Sequence, residues 1–364
     1  MKVVVFGLTV SSSWGNGHAT LWRSLIKALL RRGHSVTFFE KDMPYYASTR
    51  DLWALPQGGL LQFYGSLPEV RDEALRELRE ADLAMVTSYC PDGSEAAQLV
   101  LEHVSGVRAF YDMDTPVTLD CLRSASPVAY LPAGGLGAFD LVLSYTGGRA
   151  LRELQTRLGA RVVAPLYGSV DPETHFPVSP VDSFRSALSY LGTFAEDRQQ
   201  AVEELFVEPA RRSPGERFLI GGAQYPETFP WMENIFFTGH LEPAQHPAFF
   251  CSGRATLNVT RRAMAEYGYC PSGRLFEAAA CGVPLLSDGW EGMDAFFTPG
   301  TEILRVDTAE DVLGKLSLSD NELKRVAEAA RERVLREHTN EQRVLDLERC
   351  LEGLPVRDTM AAKA

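Results

Sequence analysis

The segment Pro271–Asp288 reads PSGRLFEAAACGVPLLSD, with Arg274 three residues ahead of a lone glutamate, Glu277, in an otherwise small and apolar run. The pattern predicts a short helix that opens on Ser272-Gly273-Arg274 and stops at a glycine. Small residues and unpaired backbone N–H groups at a helix start suit an anion, and an arginine fork beside them suits a phosphate. An ionised glutamate is acceptor-only and can take two vicinal hydroxyl protons. A surface salt bridge between Arg274 and Glu277, at i and i+3, would leave the Ser-Gly opening unexplained.

Two other loops carry chemistry. SSSWGNGHAT (11–20) follows the first apolar strand. Its serines and glycines, around Ser13, Trp14, Gly15, Asn16 and Gly17, let a ligand approach the backbone, and His18 lies at the next helix start. A histidine of near-neutral pKa can take the proton of a hydroxyl, an effect of about 10²–10⁴-fold. Asp112-Met113-Asp114 ends a later strand. Asp114 is placed to orient His18, to bind an acceptor, to be the base itself, or to cap the helix before Pro116.

Gly15-Asn16-Gly17, with Glu40 ending the second strand, is a partial dinucleotide fingerprint. It fails because the loop from Gly7 is too long and Thr20 stands where the third glycine belongs. No nicotinamide or flavin cofactor is expected.

The elements that position these residues alternate strand and helix, which predicts parallel βαβ units with helices on both faces. Apolar strands are expected at 2–7, 35–40, 84–88, 107–112, 141–145 and 162–166. After the proline-rich stretch YGSVDPETHFPVSP (167–180) the alternation restarts, with strands near 187–191, 218–220, 235–238, 255–260, 283–286 and 302–306. From Asp320 to Leu351 the chain is charged and helical. The expected fold class is therefore α/β, with two doubly wound Rossmann-like domains facing a cleft. Residues 1–170 form the first, 171–180 a linker and 181–319 the second; helices over 320–354 pack back toward the N-terminal domain, and 355–364 form a tail. Ligands on such sheets bind beyond the carboxyl ends of the strands.

A net charge of -12 argues against a nucleic-acid partner, because counterion release needs clustered Lys/Arg. No run approaches the length of a membrane span, and MKVVVFG enters a strand with no secretory signal. The six cysteines (90, 121, 251, 270, 281, 350) have no CxxC spacing and read as reduced cytoplasmic thiols.

The pieces LNVTRRAMAEYGYCPSGRLFEAAACGVPLLSDGW and DAFFTPGTEILRV resemble the donor-binding half of GT-B glycosyltransferases, and are most similar to the CgeB-like branch, named after a spore-coat maturation protein. FYDMDTP, YGSVDPETHFP and LSYLGTFAEDR add weaker support. The resemblance implies that Ser272, Gly273, Arg274 and Leu275 hold the diphosphate of a nucleotide-sugar donor and that Glu277 accepts from its ribose. It also implies a second phosphate contact from Gly192, Thr193 and Arg198, and a catalytic histidine matching His18. Asp-x-Asp is the metal signature of a different glycosyltransferase fold, so no metal is expected at Asp112 and Asp114. Retaining members of the wider superfamily often carry a glutamate eight positions before the ribose glutamate. Here Tyr269 stands there, with Glu266 nearby, which favours inversion by a base from the first domain.

The function implied is a metal-independent transfer of sugar from a nucleotide-diphosphate-sugar donor to an acceptor hydroxyl on a glycan, lipid-linked sugar or protein. The competing readings are a nucleotide-sugar epimerase, a sugar phosphorylase, or a non-catalytic nucleotide-sugar-binding protein.

Overall fold

The computed structural model describes residues 1–355. Its first sheet contains β1 (Lys2–Gly7), β2 (Ser35–Lys41), β3 (Gly59–Tyr64), β4 (Leu83–Thr87), β5 (Val107–Asp112), β6 (Leu141–Ser144) and β7 (Val163–Pro165). All pairs are parallel, in the order β3-β2-β1-β4-β5-β6-β7. The second contains β8 (Ser186–Leu191), β9 (Phe218–Gly221), β10 (Ile235–Phe237), β11 (Gly253–Asn258), β12 (Leu285–Ser287) and β13 (Leu304–Arg305), also parallel, in the order β10-β9-β8-β11-β12-β13.

The central strands are largely apolar because helices cover both faces of the sheet, and the polar residues they carry, such as Ser189, Thr256 and Asn258, are buried and hydrogen-bonded. Val3 and Val5 point into one core with Trp22, Ile26 and Met85, while Val4 and Phe6 point into another with Phe39, Phe110 and Phe139. The second sheet divides the same way, between a core around Phe249, Phe276 and Phe297 and one around Tyr190, Phe206 and Phe218.

In both sheets the strand order reverses beside the first strand, between β1 and β4 and between β8 and β11. Loops diverge at such a switch point and leave a crevice at the carboxyl end. The 11–18 loop occupies the first crevice, and Gly192 to Arg198 the second.

The charged C-terminal region is two helices, Asp320–Glu337 and Asn340–Glu352, broken at His338-Thr339, where the Thr339 hydroxyl caps the second. The first buries Ala330 and Val334 in the second sheet's core, whereas the second buries Val344 and Leu347 in the first sheet's core. Asn340 Nδ2 also donates to Ser24 O at 3.2 Å. Where the chain recrosses it meets the linker: Val170 N donates to His338 O at 3.0 Å and Asn340 N to Val170 O at 2.8 Å. Among the described residues no helix is long and apolar enough to cross a membrane.

Candidate active site

A cleft cavity of about 380 Å³ separates the two sheets and is lined from both sides, by His18 and Asp114 on one and by Gly192, Arg198, Arg274 and Glu277 on the other.

On the second side, Pro271 and an extended Ser272 lead into the helix Gly273–Ala280, and the Ser272 side chain makes no capping bond. The Gly273 and Arg274 amides therefore lack an intrahelical partner and form the positive end of the helix dipole. Arg274 Nη1 donates to Asn258 Oδ1 at 2.9 Å, at the carboxyl end of β11. Arg198 donates to the Thr193 carbonyl. Both guanidiniums lie against the ring of Tyr190, at 5.3 and 5.9 Å from its centroid.

Gly192 makes this convergence possible. A Cβ there would lie 2.7 Å from Arg274 Nη2 and 3.2 Å from Arg198 Nη2. Among the described residues neither guanidinium has an ion-pair partner. Burial, with Arg198 adding to it, pushes the Arg274 pKa below its ordinary value. Two like charges held together without a carboxylate make a site for an anion.

Glu277 lies one turn along the helix, 8% exposed. It does not pair with Arg274. Its Oε2 stands 3.3 Å from His246 Nδ1 and 3.9 Å from His175 Nε2. Burial alone would raise the Glu277 carboxyl, but His175, His246 and Arg274 hold it at about 2, so it is ionised.

Leu275 is corrected. Its side chain is 1% exposed in the core, and its amide donates to Ser272 O at 3.0 Å. Neither is left for a diphosphate. A helix-start motif spans residues on every face, and only some of them face the ligand.

On the first side, Asn16 caps the helix Gly17–Arg31 by accepting from His18 N at 3.0 Å. His18 Nε2 lies 2.5 Å from Asp114 Oδ2. Asp114 precedes the helix Thr115–Arg123 in the cap position, but its side chain makes no cap bond and turns to His18 instead. Burial alone would raise the Asp114 carboxyl; the facing His18 and Arg261 outweigh it and hold it below the usual range. His18 Nδ1 is buried without a partner, and the Tyr89 ring packs edge-on at 5.9 Å.

The rest of the loop is mostly scaffold. Glu40 is fully buried and accepts from Thr9 Oγ1 and Val10 N at 2.7 Å and from Ser11 N at 3.0 Å. Its carboxylate holds the loop and is not free for a ribose. The Ser13 amide and hydroxyl both donate to Asp51, which also pairs with Arg23. Trp14 packs on Tyr45 and His240 instead of lining the cavity, whereas Ser13, Gly15, Asn16 and Gly17 do line it.

Asp112 and Asp114 have different partners, Asp114 Oδ2 facing His18. Asp112 Oδ1 accepts the Asp114 amide at 3.1 Å, and Oδ2 has no partner. Among the described residues the one group of His, Cys, Asp and Glu with metal-ligand spacing is His175, His246 and Glu277. Neither histidine was singled out from sequence, since 175, 246 and 277 share no local motif.

Two parallel α/β sheets facing one cleft make up the GT-B architecture. The family model described as "Glycosyl transferase-like" matches residues 198–349, which run from Arg198 through the second sheet into the last helix. Among solved structures, sucrose-phosphate synthase from Thermosynechococcus elongatus is similar at a TM-score of 0.69 and 13% identity, covering 97% of this chain and 98% of that one. Anabaena HepE in complex with UDP and glucose gives 0.68 and 12%, covering 97% and 100%. An alpha-glucosyltransferase in complex with UDP-glucose and DNA containing an abasic site gives 0.71 and 12%, covering 97% and 99%. No curated protein sequence matches the chain.

The expected absence of a nucleic-acid partner is corrected by these comparisons. Glucosyltransferases of this fold have been solved on DNA, so a net charge of -12 does not exclude nucleic acid. What a partner meets is the local field of a cleft, and net charge averages that field away.

Proposed function

We propose that the chain moves a sugar from a nucleoside-diphosphate sugar to an acceptor hydroxyl without a divalent metal. The observation that carries this reading is the convergence of Arg198 and Arg274 over Gly192, unpaired, beside the first amides of the 273–280 helix. Such donors stabilise the charge that grows on a departing diphosphate, which is the task a metal performs elsewhere. Glu277, ionised and acceptor-only, takes the ribose hydroxyls.

The acceptor hydroxyl loses its proton to the His18–Asp114 pair as it attacks. Of the carboxylates lining the cavity, Glu277 is committed to the donor and Asp114 faces His18. Glu266 lies on the exposed helix Arg262–Tyr267, paired with Arg262. This supports single displacement with inversion. Residues 1–170 serve as acceptor domain and 181–319 as donor domain, with flexing at 171–180. The 256–306 block supports the narrower CgeB-like placement, and six unpaired thiols support a reducing, cytoplasmic setting.

The test incubates the full chain with UDP-, GDP-, dTDP- and ADP-sugars in excess EDTA, with an acceptor panel that includes DNA bearing hydroxymethylated bases. Acceptor-dependent release of the nucleoside diphosphate is expected. Donor turnover without acceptor would point to an epimerase. Binding without turnover on any acceptor, or strict dependence on Mg²⁺ or Mn²⁺, would overturn the proposal.

A further inference from the structure

Three ring or carboxylate atoms converge where the linker meets the second sheet's helices. His175 comes from the linker, His246 opens the helix His246–Ser252, and Glu277 lies on the 273–280 helix. His175 Nε2 and His246 Nδ1 are 3.4 Å apart, and Glu277 Oε2 stands 3.9 and 3.3 Å from them. Side-chain exposures are 2%, 12% and 11%.

A carbonyl only accepts, so His246 Nε2, 3.3 Å from Leu241 O, carries a ring hydrogen and Nδ1 is the nitrogen turned to the triangle. His175 turns Nε2 to the same centre, where a single hydrogen can serve His246 or Glu277, not both. Two imidazole nitrogens and one carboxylate oxygen thus face one another around one point.

The separations indicate which charge fits. Ligands bound at about 2.0–2.2 Å to a tetrahedral ion lie roughly 3.3–3.6 Å apart; the two separations at His246 fall in that range, and the wider His175–Glu277 pair at 3.9 Å would close on binding. Two imidazoles and one carboxylate suit a borderline ion such as zinc; magnesium and calcium prefer all-oxygen sets. The Nε2–H···O=C bond of His246 is the outer contact that metal-bound histidines usually make.

We propose that His175, His246 and Glu277 bind one zinc-type divalent ion that fastens the linker to the second half of the molecule. The site goes beyond the transfer reading and does not depend on it. The ion is structural, one Glu277 oxygen serves it, and the other remains for the cleft, which Glu277 also lines.

The experiment titrates metal-free full-length protein with Co²⁺ and no nucleotide, and then displaces the Co²⁺ with Zn²⁺. One equivalent with visible bands of four- or five-coordinate Co²⁺ is expected. Affinity should fall at least about ten-fold in His246→Ala and in His175→Ala, with native circular dichroism in at least one variant. Equal binding by wild type and the folded variant would overturn the site. So would a thiolate charge-transfer band, which would place the ion on cysteine, or no binding, which would mean that a proton on His246 Nδ1 fills the gap. UDP affinity measured separately in EDTA tests the donor reading alone.

Discussion

Arg274 and Glu277 sit three residues apart on one helix and turn away from each other. Arg274 Nη1 donates to Asn258 Oδ1 at 2.9 Å, while Glu277 Oε2 meets His246 Nδ1 at 3.3 Å. Opposite charges at this spacing ordinarily pair for a few tenths of a kcal/mol. Here the guanidinium is kept for the cleft.

Arg274→Met should weaken UDP binding by about 1.5–3 kcal/mol, the worth of a hydrogen bond to a charged group. The unliganded protein should not melt earlier, because the variant removes a partly buried, unpaired charge held beside Arg198. Calorimetry with UDP and a thermal scan without it check both. Unchanged UDP affinity would remove Arg274 from the donor site.

His18→Ala and Asp114→Asn should each lower transfer by about 10²–10⁴-fold and leave UDP affinity unchanged. The double variant should be little worse than the worse single one, as for groups acting as a unit. Rates at saturating donor and limiting acceptor test this. Additive losses would separate the two residues.

Leu275→Ala should cost about 2–5 kcal/mol of stability by opening a cavity in the core. UDP affinity of the folded protein should be unchanged. Denaturant titration and calorimetry on the same sample distinguish this packing role from the donor role implied by the motif.

Asp112 gives a pH prediction. Burial pushes its carboxyl from 3.8 to about 7, with Asp114 contributing to the rise. The native state thus holds a proton that the unfolded chain has released. The favourable contribution is complete below about pH 4 and is lost as pH rises through about 7. The melting temperature of Asp112→Asn relative to wild type should therefore climb between about pH 5 and pH 8. A flat difference would show that Asp112 does not titrate in this range.

The alternation of apolar runs and amphipathic helices revealed both sheets, because central parallel strands are buried on both faces and read as mostly apolar runs. β3 was missed: Gly59–Tyr64 is a half-buried edge strand behind Pro56-Gln57-Gly58, and an edge strand lacks the continuous burial that marks the others. Within the site, the basic helix start was legible because backbone, small residues and arginine are local. The position of Asp114 was equally consistent with a cap, and the choice was made by His18, a residue 96 positions away. The partners of Glu277 carry no sequence signal, since the fold alone brings 175, 246 and 277 together.

The chain passes between the halves twice, and the two passages are bonded to each other at Val170 and Thr339. A single tether would let the halves swing and twist freely. Two tethers bonded side by side resist sideways slip of the halves more than one would. Cutting the linker alone would leave the halves joined through the second passage and the 340–352 helix.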